Sequence, residues 1–249
     1  MKAMILAAGL GTRLKPFTES HPKALFIING KTLLEHAIDH LKSWGIREVI
    51  INVHHFSRQI SDYLDQHDQF GMQVTISDES GELLETGGGV KKAAWFFQDC
   101  GSFIVRNVDI LSDLDLSEII DDHHSSGSLA TLAIRSRETS RYFLFDGQMQ
   151  LCGWENRKTG ERMLVRGPAS AVTPQAAIEN SVGYDPLQPF AFSGIQVLNP
   201  QIFPLISETG RFSLTTFYLR LAASQKITGY LEKGELWKDV GQLPMTSDE

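Results

Sequence analysis

The sequence is poor in cysteine, with Cys100 and Cys152 the only two among 249 residues. Neither belongs to a Cys-x-x-Cys pair, so the sequence offers no support for a zinc centre or a redox dithiol. So few cysteines in a chain of this length are typical of proteins from reducing compartments. We therefore expect a cytoplasmic protein with two reduced, semi-buried thiols.

The sequence also lacks an excess of positive charge and any long apolar run. It has 23 lysines and arginines against 30 acidic residues, a net charge of −7, which excludes nucleic-acid binding through a general basic surface. No apolar run approaches the roughly 20 residues of a membrane helix. Met1-Lys2 leads directly into the first predicted strand, so we expect no signal peptide. We expect neither nucleic acid nor a membrane as a partner. The oligomeric state stays open.

What the first half does have is an alternation of apolar runs with helical periodicity. Thr32, followed by Glu35, is typical of a helix N-cap, and Gly45 of a stop. The pattern predicts strands at 3–8, 48–53, 72–77 and 103–106 and helices at 32–44, 57–64 and 86–97. Such alternation predicts an α/β fold with a Rossmann-like open mixed, mostly parallel sheet and helices on both faces. That fold places ligands at the carboxyl ends of its strands.

The second half reads as short strands joined by tight turns. They are predicted at 129–134, 142–145, 149–154, 190–197, 227–231 and 236–238, with a helix at 213–223. Residues 157–189 are polar, rich in Gly, Pro, Ala and Ser, and without a clear period, which indicates an irregular insertion or lid. With no repeat and no obvious linker, we expect one domain over residues 1–249.

The first strand leads into a loop of small residues with nearby cations, Gly9-Leu10-Gly11-Thr12-Arg13. Glycines allow a ligand to approach the main chain, successive N–H groups bind anions, and a guanidinium suits phosphate oxygens. A dinucleotide-binding fingerprint would need a third glycine at Leu14 and an acidic residue where the second strand has Asn52. The Gly-x-x-x-x-Gly-Lys-Ser/Thr loop is absent too. The sequence therefore predicts a phosphate-holding loop of another kind, and an NAD-dependent oxidoreductase is disfavoured.

Further motifs follow this loop in order along nearly the whole chain. They are Pro16-x-Thr18 and Pro22-Lys23, then Glu85-Thr86-Gly87-Gly88-Gly89, Asn107-Val108-Asp109, Phe192-Ser193-Gly194-Ile195 and Trp237-Lys238-Asp239-Val240-Gly241. Together with Leu6-Ala7-Ala8-Gly9-x-Gly11-Thr12-Arg13-Leu14, this set resembles the signature of the sugar-1-phosphate nucleotidyltransferases, also called nucleotide-sugar pyrophosphorylases. The resemblance implies a nucleotide-diphospho-sugar transferase fold, of the GT-A-like type. It also implies a nucleoside triphosphate and a sugar-1-phosphate as substrates.

In the family's reaction, an oxygen of the sugar phosphate attacks the α-phosphorus of the triphosphate, and pyrophosphate leaves. Two polyanions meet, so catalysis consists largely of positioning and charge neutralisation. The resemblance implies catalytic roles for Arg13 at the leaving pyrophosphate, Lys23 at the α-phosphate and Asp109. It further implies that Asp109 and Asp239 bind Mg²⁺, which prefers one or two carboxylates with phosphate oxygens and water. Asp115, close by, is interpreted as a cap residue.

The resemblance also assigns binding residues. It implies that the nucleotide is bound by Leu6, Ala7, Ala8, Gly9, Gly11, Thr12, Arg13, Lys23, Glu82, Thr86 and Gly87. It implies that the sugar is bound by Glu85, Gly88, Asn107, Glu155, Ser193 and Gly194. Three consecutive glycines at a helix start are costly, and we interpret them as a sign of close approach by a ligand.

Two departures from the family pattern motivate a second hypothesis. Val108 stands where the family usually has glycine, and residues 155–158 depart from its usual Glu-Lys-Pro. The alternative is a catalytically weak nucleotide-sugar-binding or regulatory protein of the same fold. Within the family, the Leu-Glu-Thr-Gly-Gly-Gly block most resembles enzymes that join UTP with N-acetylmuramate-1-phosphate in cell-wall recycling. It resembles members that join GTP with mannose-1-phosphate almost as closely. We expect no β-helix domain after Gly241.

Overall fold

The computed structural model describes residues 1–166 and 186–242. Its first half alternates strands and helices. The strands are β1 (Lys2–Leu6), β2 (Ile27–Ile28), β3 (Lys31–Thr32), β4 (Glu48–Val53), β5 (Gln73–Asp78), β6 (Phe103–Asn107) and β7 (Ile110–Ser112). The helices are α1 (Leu33–Ser43), α2 (Ser57–Gln66), α3 (Glu85–Lys92) and α4 (Leu116–Ser126).

The described part of the second half is richer in strands. They are β8 (Ala130–Arg135), β9 (Arg141–Phe145), β10 (Leu151–Asn156), β11 (Glu161–Leu164), β12 (Gln188–Leu198), β13 (Ile227–Leu231) and β14 (Trp237–Asp239). The helix α5 (Leu214–Ala222) lies between β12 and β13, with Ser213 as its N-cap.

Within the described residues, one mixed ten-stranded sheet runs through both halves, in the order β11-β10-β9-β12-β6-β1-β4-β5. β8 pairs with β12 outside this order, and β13 pairs with β8. Its first-half strands are parallel: β1 lies between β4 and β6, and β4 pairs with β5. β12 joins the halves by pairing antiparallel to β6, so Ile195 lies opposite Arg106. The predicted mixed, mostly parallel architecture is confirmed.

The core lies on both faces of this sheet. In β1, Ala3 and Ile5 belong to the cluster that packs against α1, α2 and α4. Met4 between them points to the opposite cluster, which packs against α3 and α5. A strand buried on both faces has apolar residues without alternation, as the opening run of this sequence does. Within the described residues, no helix is both long and apolar enough to cross a membrane.

Local sequence signals predicted the positions of most helices and strands. The Thr32 hydroxyl accepts a hydrogen bond of 3.1 Å from the backbone N–H of Glu35, which fixes the start of α1 as predicted. Both cysteines are free thiols, Cys100 half-buried and Cys152 buried.

Other boundaries were wrong or missed. α4, which Asp115 caps, was not predicted. The interpretation of 157–189 as irregular is wrong at both ends, because residues there belong to β11 and β12. Its middle, 167–185, lies outside the described residues.

Candidate active site

A cavity of about 380 Å³ opens at the carboxyl ends of β1 and β6. Parallel pairing places Leu6, the last residue of β1, opposite Asn107, the last residue of β6. The loops that follow the two strands therefore face the same space. Most of the predicted site residues line it: Leu6, Ala7, Ala8, Gly9, Gly11, Thr12, Arg13, Lys23, Glu85, Thr86, Asn107 and Asp109.

The glycine loop folds tightly around Gly11. Gly11 has a left-handed backbone with φ +62°, and a Cβ there would lie 2.8 Å from Thr18 Cγ2 and 2.9 Å from Lys23 Cβ. The Thr18 hydroxyl donates a 3.0 Å hydrogen bond to the Gly11 carbonyl. Leu14, at the place of a dinucleotide fingerprint's third glycine, is buried in the core. Gly11 is therefore required for both conformation and space, and the loop differs from a dinucleotide-binding turn.

Lys23 forms an ion pair with Asp109 at the cavity wall. The Lys23 side chain is 10% exposed and that of Asp109 16%, so both charges are largely withdrawn from water. Charges withdrawn from water in this way compensate each other electrostatically. The cation and the carboxylate singled out in the sequence are thus direct partners.

Asp239, near the end of the described residues, lies close to the Lys23–Asp109 ion pair. β14 pairs antiparallel with β7, with Asp239 opposite Ile110, and the Val240 N–H donates a 3.0 Å hydrogen bond to the Asp109 carbonyl. A Cβ on Gly241 would lie 2.5 Å from Lys23 Nζ, 3.1 Å from Asp239 Oδ1 and 3.3 Å from Arg13 Nη2. Two cations and two carboxylates therefore converge beside the glycine loop.

The donor set at this point suits a hard divalent cation. Among the residues that the structure describes, no group of three or more His, Cys, Asp or Glu side chains forms a metal cluster. Asp109 and Asp239 alone would leave most coordination positions to phosphate oxygens and water. Magnesium is typically bound in this way at phosphate-transfer sites. The residues present fit such an ion when the triphosphate is bound with it.

A buried side-chain bridge, which the sequence did not reveal, supports two walls of the cavity. The Asn52 Oδ1 accepts a 2.8 Å hydrogen bond from the Ala7 N–H, and its Nδ2 donates one of 2.8 Å to Glu79 Oε1. The second carboxylate oxygen of Glu79 accepts a 3.2 Å hydrogen bond from the Leu84 N–H. Asn52 is 2% and Glu79 1% exposed. The bridge thus ties the start of the glycine loop to the loop before α3.

The three glycines of α3 have a packing reason. A Cβ on Gly87 would lie 2.3 Å from the Phe212 ring, and one on Gly88 would lie 2.7 Å from the Gly210 carbonyl oxygen. A Cβ on Gly89 would lie 2.7 Å from Glu79 Oε1. The glycines let α3 pack against the 210–212 segment and the Asn52–Glu79 bridge. Neither Gly87 nor Gly88 lines the described cavities, so our interpretation that the glycines signal approach by a ligand stays a prediction.

The remaining predicted binding residues lie away from the cavity lining. Ser193 is fully buried and donates its hydroxyl hydrogen to Glu232. Gly194 has a left-handed backbone with φ +83°, and a Cβ there would lie 2.7 Å from Ile110 Cγ1. Glu155 forms a 2.8 Å ion pair with Arg157. Glu82 also lies outside the cavity lining. Of the predicted sugar-binding set, the structure brings Glu85 and Asn107 into the cavity.

Arg106 and His40 support the corner that carries Asp109. The Arg106 side chain is fully buried; its Nη2 donates a 2.6 Å hydrogen bond to the Ile110 carbonyl and its Nη1 one of 2.8 Å to His40 Nδ1. Burial lowers the pKa of Arg106 to about 10, which leaves it charged at neutral pH, while Asp109 acts in the opposite direction. Burial, and then Arg106, lower the pKa of His40 to about 4, so its imidazole is neutral. Its Nε2 donates to the Leu114 carbonyl at 2.9 Å.

Val108, which departs from the family's usual glycine, is accommodated in the core. Its side chain belongs to the same apolar cluster as Ile195 and Val240 and is 5% exposed. Its N–H donates a 3.1 Å hydrogen bond to the Leu6 carbonyl, which joins the β6–β7 corner to β1. The valine therefore packs beneath the cavity with little of its surface in it.

Comparison with known proteins identifies the family. The family model for nucleotidyl transferases matches residues 2–149. The N-acetylmuramate alpha-1-phosphate uridylyltransferase of Caulobacter vibrioides is 30% identical over 96% of this chain and 91% of its own length. A probable mannose-1-phosphate guanylyltransferase of Oryza sativa is 29% identical over 97% of this chain and 62% of its own.

A solved structure shares the fold. HddC from Yersinia pseudotuberculosis, complexed with GMP-PN, superposes with a TM-score of 0.72 at 21% identity, over 96% of this chain and 93% of the other. The matched family region contains the glycine loop, Lys23 and Asp109, and the full-length similarity extends to β14. The chain therefore belongs to the nucleotidyl transferase family, the family of the sugar-1-phosphate nucleotidyltransferases, and is an enzyme of that family.

Proposed function

We propose that the protein transfers a nucleoside monophosphate from a nucleoside triphosphate to a sugar-1-phosphate and releases pyrophosphate. The observation that carries this proposal is the convergence of Arg13, Lys23, Asp109 and Asp239 around Gly241, beside the glycine loop. Cations there can neutralise a triphosphate, and carboxylates can hold the divalent cation that such a triphosphate brings. Family membership and the names of the relatives support the same reaction.

In this proposal, the glycine loop holds the triphosphate and Arg13 binds the departing pyrophosphate. Backbone N–H groups of such a loop point toward bound anions, and a guanidinium matches phosphate oxygens with two parallel hydrogen bonds. Lys23 leaves Asp109 and moves to the α-phosphate. There it offsets the negative charge that grows as the acceptor's phosphate oxygen bonds to the α-phosphorus. The bond to the β-phosphate oxygen breaks, and its electron pair leaves with pyrophosphate.

Mg²⁺, held by Asp109 and Asp239 with phosphate oxygens, would neutralise charge on the transferring group. Arg106 and His40 hold the β6–β7 corner so that Asp109 faces the cavity. The base of the nucleotide lies against Leu83, Glu85 and Thr86, which line the cavity beyond the glycine loop. The Asn52–Glu79 bridge keeps that wall in register with the loop.

Two substrate pairs are the leading candidates. UTP with N-acetylmuramate-1-phosphate follows from relatives such as the Caulobacter enzyme, and GTP with mannose-1-phosphate follows from relatives such as the rice protein. The first pair would place the protein in cell-wall metabolism. Both pairs are consistent with a cytoplasmic enzyme.

The test is a matrix of the four common triphosphates against sugar-1-phosphates, with Mg²⁺, in which pyrophosphate release is measured. The expected result is release with one pair well above all others, abolished by a chelator and restored by Mg²⁺. Asp109→Asn serves as the matched inactive control. Binding of nucleotide sugars without pyrophosphate release from any pair would overturn the proposal in favour of a regulatory protein of the same fold.

A further inference from the structure

A second cavity of about 170 Å³ adjoins the active-site cavity. The two share Leu6, Thr86 and Asn107 in their linings. Asn107 precedes the Val108–Asp109 corner, so the second cavity begins beside the point where the acceptor's phosphate must meet the α-phosphorus. It then extends away from the glycine loop, between β9, β12 and α5.

The walls of this second cavity are largely apolar. Phe143 on β9, Phe192 on β12 and Leu214 at the start of α5 are among its lining residues. Phe143 and Leu214 are each 5% exposed. The Thr86 hydroxyl accepts a 2.9 Å hydrogen bond from the Leu214 N–H, which fixes α5 against the start of α3. The walls therefore belong to packed elements, and their shape is set by the core.

Two buried polar side chains line these apolar walls. Gln196 and Tyr218 are each 2% exposed. Neither Gln196 Oε1 nor the Tyr218 hydroxyl has a hydrogen-bond partner among residues 1–166 and 186–242. Buried polar groups are nearly always satisfied, and each exception calls for an explanation. Here both atoms belong to residues that line the same cavity, so one bound group can satisfy both.

The chemistry of the two side chains defines that group. Burial raises the pKa of Tyr218, so its hydroxyl stays protonated and can donate a hydrogen bond. A glutamine carbonyl oxygen accepts one. A secondary amide carries both complements, a carbonyl oxygen for Tyr218 and an N–H for Gln196, and its methyl end suits the aromatic walls. A carboxylate offers no donor to Gln196, and an alkyl group satisfies neither side chain.

We propose that the second cavity is a subsite for an acylamino substituent of the sugar-1-phosphate acceptor, with Gln196 and Tyr218 as its specificity-determining residues. This inference rests on the proposed function, since it concerns the acceptor of that reaction. It favours an N-acetylated sugar over mannose among the candidate acceptors. A sugar with a hydroxyl in place of the acetamido group would leave the apolar walls without contact.

The test compares acceptors that differ only at this substituent. With the triphosphate that the wild type uses, kcat/KM is measured for N-acetylglucosamine-1-phosphate and for glucose-1-phosphate. We expect the acetamido acceptor to be preferred by about 100-fold or more, since a site built to hydrogen-bond a group discriminates strongly against its absence. Tyr218→Phe and Gln196→Met keep the packing volume and should each reduce that preference by about 10-fold or more. Tyr230→Phe, which removes a hydroxyl bonded to Glu118 at the surface, is the matched control and should keep it.

A wild type with equal kcat/KM for both acceptors, or variants with an unchanged preference, would overturn the subsite. A Tyr218→Phe variant that loses activity on both acceptors in equal proportion would show a purely structural role and would also overturn it. If no substrate pair releases pyrophosphate, the proposed function has failed, and the subsite is tested by binding alone. Calorimetry must then show tighter binding of UDP-N-acetylglucosamine than of UDP-glucose to the wild type, with the difference reduced in Tyr218→Phe.

Discussion

The ammonium of Lys23 and the carboxylate of Asp109 form an ion pair on the wall of the cavity at the ends of β1 and β6. Each group thereby compensates the other's charge where both are largely shielded from water. In the proposed reaction, a triphosphate with its divalent cation would offer each a stronger partner, phosphate for the lysine and metal for the aspartate. Substrate binding would thus exchange one ion pair for two charge-matched contacts.

Lys23→Ala should lower kcat by about 100-fold or more and raise the KM for the triphosphate by much less. This pattern is expected when an interaction is made mainly in the transition state, as for a cation that offsets charge growing on the α-phosphate. Steady-state kinetics with saturating acceptor measure both constants. Lys15→Ala, on the same loop but 60% exposed in its side chain, is the matched control and should behave as wild type. An effect of Lys23→Ala confined to KM would assign Lys23 to ground-state binding alone.

Asp109→Asn and Asp239→Asn should each reduce pyrophosphate release by about 100-fold or more at standard Mg²⁺, because each loses a charged ligand for a metal worth several kcal/mol of charge stabilisation. Added Mg²⁺ should restore part of the activity of the variants. The pyrophosphate release rate, titrated against Mg²⁺, measures this effect. Asp121→Asn, on the exposed side of α4, is the control. A variant that keeps the wild-type Mg²⁺ dependence would remove its residue from the proposed metal pair.

Glu79→Gln should destabilise the protein by about 1–3 kcal/mol and raise the KM for the triphosphate. The carboxylate accepts hydrogen bonds from Asn52 Nδ2 and the Leu84 N–H, and a glutamine would turn an NH₂ group toward one of these donors. Urea unfolding and steady-state kinetics measure the two effects. Glu138→Gln changes an exposed glutamate and serves as control. Normal triphosphate KM in a destabilised Glu79→Gln variant would confine the bridge to a purely structural role.

The free energy of unfolding should fall as the pH falls from 6.5 toward 4, partly because of His123. Burial lowers the pKa of His123 from 6.5 to about 4 in the folded protein. Between these values the unfolded chain binds the proton and the folded protein does not, so acid favours unfolding. The full effect is roughly 3 kcal/mol. Urea unfolding at several pH values should give a shallower pH slope for His123→Gln than for the wild type or for His67→Gln at the surface. An unchanged slope in His123→Gln would show that His123 does not contribute to the pH dependence of unfolding.

Much of the fold was predictable because its signals are local. The Thr32 cap, the apolar run of β1 and the turn before β4 each act within a few residues, and the elements lie where they were expected. α4 was not predicted because its buried helical stripe, which contains Leu116, Ile119 and His123, is interrupted by a run of polar residues. β11 was not predicted because all four of its residues are exposed. A strand without a buried face needs no alternation of polar and apolar side chains, and β11 has none.

The residues of the candidate site likewise divide into those that sequence motifs identified and those that they did not. The glycine loop, Lys23 and Asp109 were identifiable from motifs, and the structure gathers them around one cavity. Asn52 and Glu79 could not be found from motifs, since their contact depends on the register of β4 with β5. The packing role of Gly87 and Gly88 depends on Phe212 and Gly210, far along the chain. Interactions that tertiary packing creates between distant segments leave no periodic trace in a sequence.

The pairing of β14 with β7 also orders events during synthesis of the chain. The glycine loop, Lys23 and Asp109 leave the ribosome early, and the strands that carry them can pair into the parallel half of the sheet. Asp239 emerges much later and reaches Asp109 only when β14 adds to β7. With Asp239 in its proposed role, a partly made chain would lack one of the two carboxylates of the metal pair. The proposed metal pair would therefore form only after β14, the last strand among the described residues, has paired with β7.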